Sequence, residues 1–468
     1  MPLRTTVFVC TAFVLATAMN ASAQNVSPPP GFSPSAPASP GGVNPPGVLE
    51  RLGGTSPARR FDDPAADVSN PGDSYQPPAS TAPYQSHEMH PGQGYSHGTW
   101  VPPESHAMLQ SPSVYAARFW IKAEALYWWT KASPLPVPVI TAGSPFDPIP
   151  GALGQPGTQV IIGNENIGLP GRGGGRFTLG FALDREAQTA LEGNYFFLTS
   201  VTAKRGVSSD GFPGSPLLAL PFSDPTLPGE NSTFIANPGA FSGTAVVTLQ
   251  SFVQGAEANL LLDLSNAAGW RWEGLAGFRY LNLQEILTLS TDSPNVPPNL
   301  PDFFSTFDRF SAQNNFYGGQ IGARATYENP YLFFNGTAKL AIGSTIENVT
   351  ASGALFSSGG SAPGAYLTQP TNLGSVSQSQ FALVPGVDLN FGVRLSPWAS
   401  VIVGYSFLYV SSVARPGDQI DRVINPSQAP GMTGVFPGSL SGPARPTLVV
   451  HDTDFWVQGL TFSLELRY

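Results

Sequence analysis

The chain has 468 residues, of which only 11 % are charged, and its formal net charge at pH 7 is −9. Ordinary soluble domains carry about 25 % charged residues, so this chain is poorly equipped to solvate a large water-exposed surface. The negative balance argues against a nucleic-acid partner, because no basic patch is present to neutralise phosphates. Many glycines and prolines beside 11 % aromatic residues favour a barrel with long loops over a disordered chain.

The first 23 residues are typical of a secretory signal peptide. Arg4 precedes an apolar run of about a dozen residues, and Ala21 and Ala23 form an A-x-A cleavage site. The run is too short to cross a membrane as a helix. We therefore expect residues 1–23 to be cleaved during export. Cleavage removes Cys10, the one cysteine, so the mature chain is expected to hold no disulfide and no thiolate metal site.

Residues 24–113 are rich in Pro, Gly and Ser and have no apolar period, which predicts a disordered linker. Four of the five histidines lie near its end, but nothing in their spacing sets a ligand geometry. We expect a solvated tail, and we expect no metal or other cofactor in this protein. The linker is a candidate for contact with the cell wall.

Apolar and polar side chains alternate in a series of segments from Phe119 to the end of the chain. This two-residue period predicts strands with one apolar and one polar face. The predicted strands are Phe119–Thr130, Arg176–Asp184, Thr189–Thr199, Ala245–Leu264, Trp270–Leu289, Asn315–Tyr327, Tyr331–Val349, Phe381–Leu395, Ala399–Val413 and Thr461–Tyr468. No later stretch reaches the roughly 18 consecutive apolar residues of a membrane helix, so a membrane location would require a closed barrel.

The connections between these strands alternate between long and short. The long ones are Lys131–Gly173, Val201–Gly243, Ser290–Phe304, Thr350–Val376 and Ala414–Asp452, and the short ones are Arg185–Gln188, Ser265–Gly269, Glu328–Pro330 and Ser396–Trp398. Short periplasmic turns and long external loops are characteristic of bacterial barrels. We predict an all-β fold over residues 114–468, a transmembrane antiparallel up-and-down barrel of about ten strands. One extra hairpin in either of the first two long connections would make twelve.

Aromatic residues near the ends of the first strand fit the girdles of a membrane barrel. We expect Trp128 and Trp129 in the outer girdle and Tyr115 and Trp120 in the inner one.

The polar face of the predicted strands carries charges of both signs. Those expected to face the lumen are Lys122, Glu124, Arg176, Glu192, Glu273, Arg279, Arg324, Lys339, Asp388, Arg394, Glu465 and Arg467, with Asp184, Glu257 and Asp263 on the same face. A nearly balanced lumen favours ion pairs that fill the interior over a selective ion filter. About eight strands are filled by their own side chains and 16–18 leave a channel, so ten predict a narrow or occluded lumen.

The final strand is expected to close the barrel against the first one. Phe462, Leu464, Leu466 and Tyr468 form its apolar row, while Glu465 and Arg467 face inward near Lys122. A terminal aromatic strand of this kind looks like the signal that the outer-membrane assembly machinery recognises.

Several motifs resemble the type-7 β-barrel porin family of bacterial outer-membrane proteins. They include F-W-I-K-A-E-A-L-Y-W-W-T-K-A-S-P-L-P-V-P at Phe119–Pro138, G-G-R-F-T-L-G-F-A-L-D at Gly174–Asp184, L-E-G-N-Y-F-F-L at Leu191–Leu198, L-A-G-F-R-Y-L-N-L at Leu275–Leu283 and F-Y-G-G-Q-I-G at Phe316–Gly322. The resemblance covers roughly residues 115–468 and implies an outer-membrane barrel in contact with outer-membrane lipid. It assigns no catalytic residues.

Two classes of function remain open at this stage. The first is a porin-like, narrow or occluded pore for ions and small solutes, and the second is a structural or surface-interaction barrel without pore activity. An enzyme is not expected, because His451 and Asp452 lack a nucleophile motif and G-R-G-G-G-R at Gly171–Arg176 lacks the G-K-[ST] ending of a phosphate loop. The sequence carries no signal for an oligomeric state.

Overall fold

The structure, a computed structural model, describes residues 118–227, 229–296, 303–430 and 436–468. The predicted signal peptide with Ala21 and Ala23, the predicted linker and Tyr115 lie outside these residues. The strands, in chain order, are β1 (Phe119–Thr130), β2 (Ser133–Leu135), β3 (Ile140–Gly143), β4 (Gln159–Ile162), β5 (Glu165–Ile167), β6 (Arg172–Ala182), β7 (Thr189–Ser209), β8 (Leu217–Ser223), β9 (Glu230–Ala236), β10 (Gly243–Ala267), β11 (Trp270–Pro294), β12 (Phe303–Glu328), β13 (Leu332–Ser357), β14 (Gly360–Pro363), β15 (Gly374–Ser396), β16 (Ala399–Ala414) and β17 (Asp452–Arg467). Two short 3₁₀ helices span Pro416–Gln419 and Pro426–Gln428.

Ten of these strands form a closed antiparallel ring. Their order is β12-β11-β10-β7-β6-β1-β17-β16-β15-β13, and β13 pairs again with β12. The final strand lies beside the first, with Trp120 opposite Arg467 and Lys122 opposite Glu465. The predicted ten-strand up-and-down barrel is therefore confirmed. The twelve-strand alternative is wrong, because the extra strands of the first two long connections form two small sheets that are not hydrogen-bonded into the ring.

One end of the ring carries the short turns, and the other carries the long connections. We call these the short-turn end and the loop end. At the short-turn end, the backbone N–H of Phe119 donates to the carbonyl of Tyr468 at 3.0 Å, and the N–H of Tyr468 donates to the carbonyl of Phe119 at 2.8 Å. Two reciprocal bonds therefore complete the ladder between the first and last strands.

Several strands extend much further toward the loop end than the alternation predicted. β12 begins at Phe303 rather than Asn315, and β7 continues to Ser209 although a loop was predicted from Val201. β12 has 26 residues, whereas about 9–11 are enough to cross a bilayer. Beyond the lipid, outward positions no longer need apolar side chains. The alternation of apolar and polar residues is therefore lost there, although the backbone ladder continues.

The outward face of the ring is apolar along its membrane-sized part. Phe177, Leu179, Phe391 and Phe462 are each about half exposed, between 51 and 54 %. Aromatic side chains border this band on both sides. Those toward the short-turn end are Phe119, Trp270, Trp272, Tyr331, Trp398 and Tyr468, and those toward the loop end are Tyr127, Trp129, Tyr195, Tyr280, Tyr317 and Tyr405. Trp129 therefore lies in the predicted outer girdle. Within the described ranges, no helix combines the length and apolar character needed to cross a membrane.

The loop end contains a second apolar core. β3, β4, β8 and β9 form a four-stranded sheet, and β2 pairs with β5. Leu218, Leu220 and Phe222 of β8 pack with inward side chains of β10 and β11 such as Leu249 and Leu287. We call this cluster the outer core. It fills the wide part of the ring that extends beyond the membrane band.

Candidate functional site

Charged side chains cross the lumen in the half of the barrel nearest the short-turn end. Arg176 of β6 pairs with Glu124 on the neighbouring strand and also donates Nη1–H to Asp388 Oδ1 of β15 at 3.0 Å. Three strands separate β6 from β15 around the ring, so this second pair spans the interior. Ser463 donates to Glu124 at 2.8 Å, and Ser406 donates to Asp388 at 2.6 Å. The carboxylates are thus held by both charged and neutral donors.

Glu257 of β10 connects further strands. It accepts from Arg279 at 2.8 Å and from Lys339 of β13 at 2.7 Å. Lys339 also lies 3.6 Å from Asp388, which joins this group to Arg176. Because an isolated charge is expensive to bury, each member depends on the others for its stability.

A third group lies closer to the short-turn end. Arg324 of β12 pairs with Glu192 of β7 at 2.6 Å and lies 3.9 Å from Glu273. The indole N–H of Trp120 donates to Glu192 at 3.2 Å. Trp120 therefore points into the lumen, and its predicted place in the inner girdle is wrong. Trp120 lies on the same inward face of β1 as Lys122 and Glu124.

The remaining predicted residues lie around this network. Lys122 Nζ is 3.3 Å from Glu124, and Arg467 pairs with Glu465, the cross-strand neighbour of Lys122. Arg394 lies at the short-turn rim, where it pairs with Glu328. The charged side chains that meet in the lumen form what we call the ionic layer. Its members are Lys122, Glu124, Arg176, Glu192, Glu257, Glu273, Arg279, Arg324, Lys339, Asp388, Glu465 and Arg467.

Two of the additional acids have separate local partners. Asp263 pairs with Arg271 at 3.1 Å. Asp184 accepts the backbone N–H groups of Gln188 and Thr189 at 2.8 and 2.6 Å, and these bonds lower its pKa. Its predicted position on the lumen face is wrong, because the chain leaves the strand at Ala182 and the carboxylate caps the turn.

A cavity of about 160 Å³ adjoins the ionic layer and extends to the short-turn rim. Its lining includes Trp120, Lys122, Arg324 and Asp388, with Arg271 and Glu328 at the rim. This volume is enough space for several water molecules. A solute that enters here meets charges of both signs.

An apolar layer follows the ionic layer toward the loop end. Its buried side chains, contributed by strands all around the ring, include Leu126, Trp128, Phe196, Leu198, Val253, Leu281, Leu283, Phe316, Val384, Leu408, Val410, Phe455 and Val457. Trp128 is only 3 % exposed, so its predicted place in the outer girdle is wrong. The polar faces of the predicted strands led us to expect ion pairs in the lumen, and this layer was not predicted. Its signal was the loss of alternation after Glu124, where both faces of β1 become apolar.

A buried ion pair lies beyond the apolar layer. Arg415 donates Nε–H and Nη2–H to the two carboxylate oxygens of Glu285 at 2.6 and 3.0 Å, and neither side chain is exposed. Ser133 also donates to Glu285, at 3.2 Å. Arg172 lies nearby and donates to the carbonyl of Ser251 at 2.9 Å. This pair was not predicted, because Glu285 and Arg415 are far apart in the chain and Arg415 follows the end of a strand.

Two other sequence motifs, the glycine-rich segment and His451, lie within the described residues. Gly174 and Gly175 lie within β6 and pair with β1 and β7, so this segment is a strand and not a phosphate loop. The backbone of His451 bonds with the Gln419 side chain. Across the residues that the structure describes, no three His, Cys, Asp or Glu side chains are grouped to hold a metal ion.

The apolar row of the final strand faces outward. Phe462, Leu464 and Tyr468 are exposed, and Leu466 is half-buried. This row lies on the outside of the ring, while Glu465 on the opposite face is buried.

Comparison with known proteins gives one family match. Residues 120–468 match the family described as "Putative beta barrel porin-7 (BBP7)". A search of curated proteins found no match.

The solved structures that are similar to this chain have low sequence identity to it. The outer membrane protease OmpT of Escherichia coli is 11 % identical, with 75 % of this chain and 97 % of that chain covered and a TM-score of 0.37. The toluene transporter TodX of P. putida is 8 % identical, with 75 and 90 % covered and a TM-score of 0.18. The outer membrane channel DcaP of Acinetobacter baumannii is 10 % identical, with 75 and 96 % covered and a TM-score of 0.15. These scores are too low to support a functional argument.

Proposed function

The chain belongs to the beta barrel porin-7 family, and we propose that it is a porin-like outer-membrane protein whose lumen is narrow and closed in this conformation. In the proposed orientation the short-turn end faces the periplasm and the loop end faces outside. The observation that carries the proposal is the apolar layer between the ionic layer and the outer core. An ion loses its hydration in such a constriction and gains no polar partner there, so passage is unfavourable.

The ionic layer gives the proposed pore its chemical character. Cross-lumen pairs such as Arg176–Asp388 and Lys339–Glu257 neutralise each other at short range. Such a layer favours neither cations nor anions strongly, because selectivity needs one dominant sign. The solutes of an opened pore are therefore ions and small polar molecules that fit beside these pairs.

The test is single-channel recording of the purified, folded protein in a planar bilayer. We expect rare, small current steps from the unmodified protein, well below those of wide porins. Steps of the size given by 16–18-stranded channels would contradict the proposal. A heat-modifiable gel shift on the same sample shows that the recorded protein is folded.

A surface-interaction barrel is the second candidate. The observation in its favour is the outer core, which gives the external connections a packed body of their own. If Trp128→Ala, which opens the apolar layer, also produces no current, the second candidate is favoured.

Several further assignments belong to the same proposal. Residues 1–23 direct export and are cleaved after Ala23, the final strand engages the outer-membrane assembly machinery, and the linker contacts the cell wall. The protein is proposed to have no catalytic activity. N-terminal sequencing of the membrane-inserted protein tests the cleavage site.

A further inference from the structure

The ring has a partial seam between β15 and β16. β15 pairs with β13 from Gly374 to Val393, but it pairs with β16 only from Gly386 to Ser396. β16 nevertheless continues to Ala414. The portions of both strands beyond the seam therefore have no shared backbone ladder.

Pro385 explains where the ladder stops. Beyond it, the N–H of Leu383 points toward β16 and donates to the Ser411 side chain at 2.9 Å instead of to a backbone carbonyl. N–H groups alternate sides along a strand, so the nitrogen of residue 385 faces β16 as well. A proline nitrogen carries no hydrogen and cannot continue the ladder.

Beyond the seam, β16 stays paired with β17 as far as Ala414, which lies opposite Asp452, but it has no ladder with β15. Val410, Val413 and Ala414 are buried. Asn314 of β12 donates Nδ2–H to the carbonyl of Ala414 at 2.9 Å and accepts the N–H of Ala414 at 2.7 Å. β13 and β15 lie between β12 and β16 on the shorter way around the ring, so these bonds cross the interior.

The residues that follow stay inside the loop end. Arg415 pairs with Glu285 of β11, and its guanidinium lies 5.3 Å from the centre of the Phe455 ring. Gln419 donates to the carbonyls of Arg415 and His451, each at 2.8 Å. Ile420, Ile424 and Ala429 pack within the outer core. We call residues 411–429 the inner segment.

We propose that the inner segment is a hinged closure of the barrel, which has no ladder with β15 beyond Pro385, leaves the ladder with β17 after Ala414 and is held in the lumen by the Arg415–Glu285 pair; this inference rests on the proposed function, whose lumen it closes. Removing one partner of a buried pair leaves an uncompensated charge, whereas replacing both with apolar side chains of similar size does not. Loss of one charge should therefore destabilise the segment in this position, whereas replacement of both should not.

The experiment uses thiol labelling of single-cysteine variants, because the sequence contains one cysteine, Cys10, which lies in the predicted signal peptide. Ala429→Cys reports on the inner segment, and Ala236→Cys reports on the same outer core from β9; both positions are buried. In each background, a bulky maleimide is applied to the folded, membrane-inserted protein. With Glu285 and Arg415 intact, both cysteines should be protected.

Glu285→Gln should raise the labelling rate at Ala429→Cys by about tenfold or more while Ala236→Cys stays protected. The double variant Glu285→Leu/Arg415→Met should restore protection. Pro385→Val, which returns the missing N–H, should also increase labelling, because the ladder can then extend along β16. A control substitution, Glu328→Gln, removes the partner of Arg394 at the short-turn rim, outside the inner segment, and should leave both rates unchanged.

Protection of Ala429→Cys in the Glu285→Gln background would overturn the inference, and so would equal labelling of both reporters, which indicates loss of the whole outer core. Labelling tests the movement without any current. The inference and the proposed pore can therefore fail separately, since the pore is judged by conductance of the unmodified protein.

Discussion

The two halves of the barrel bury charge in different ways. In the ionic layer, Glu257 and Asp388 each have two cationic neighbours, so charges are shared over several strands. At the loop end, Glu285 forms one ion pair, with Arg415, beside the hydroxyl of Ser133 and with Arg172 nearby. A shared network keeps its side chains in one arrangement, because a carboxylate that loses one cationic partner still has the other. A single pair stabilises one conformation, because losing either charge removes the reason for the other to stay buried.

The largest effect is expected from breaking the ring at the short-turn end. Deleting Phe462–Tyr468 removes most of the ladder with β1, including both reciprocal bonds at Phe119. We expect no folded barrel, while export continues. The measurement is the heat-modifiable gel shift of the membrane fraction.

A matched deletion tests whether any loss of this size has the same effect. Removing Ser357–Pro363 takes the same number of residues from the hairpin that contains β14, which is outside the ring. This variant should keep the gel shift. Normal insertion of the first deletion would show that β17 is not needed to close the ring.

Glu257→Gln is expected to weaken the ionic layer strongly. Arg279 and Lys339 both lose their principal carboxylate, and an unpaired buried charge costs about 3–5 kcal/mol. The free energy of unfolding in urea should fall by an amount in this range. Glu328→Gln removes the partner of Arg394 at the more exposed rim and should change it by less than about 1 kcal/mol. Equal losses from the two variants would mean that burial is not the deciding factor.

Trp128→Ala addresses the boundary between the halves. Truncating a buried tryptophan typically costs about 3–5 kcal/mol, and here it also opens space between the ionic layer and the outer core. We expect lower stability and larger or more frequent current steps. The control is Trp129→Ala, the next residue along β1, which faces outward and is 39 % exposed. If both variants conduct equally, the apolar layer is not the barrier.

A smaller effect is expected from alkaline pH at the loop end. Burial and the nearby charge of Asp308 raise the pKa of Tyr366 to about 12, above an ordinary value of about 10. The neutral phenol therefore makes its full contribution to the free energy of unfolding below pH 10, and this contribution is lost as the pH rises toward 12. Near pH 11 the loss should be about 1.4 kcal/mol. Tyr366→Phe should remove this part of the pH dependence. The measurement is the protease resistance of the long connections at the loop end as a function of pH. If the variant gives the same pH profile as the unmodified protein, Tyr366 is not its source.

Sequence reasoning predicted the wall well and the interior only in part. Membrane-facing positions such as Phe177 and Leu179 must be apolar, so the alternation there is strong and gives strand number and order. The inward positions of β1 change from Lys122 and Glu124 to Leu126 and Trp128, and nothing in a period-two pattern requires inward residues to stay polar. Contacts such as Arg415–Glu285 depend on how a long connection folds back, which local pattern does not encode.

The closing ladder between β1 and β17 also has a consequence for assembly. Nearly all of the barrel sequence lies between the ladder partners Trp120 and Arg467. Until β17 is in place, the growing sheet has two unpaired edges, and such edges readily pair with other chains. Contacts between distant parts of a chain also form slowly. The unfinished barrel is therefore the aggregation-prone species, and protection of its open edges during transit is as important for yield as the stability of the finished ring.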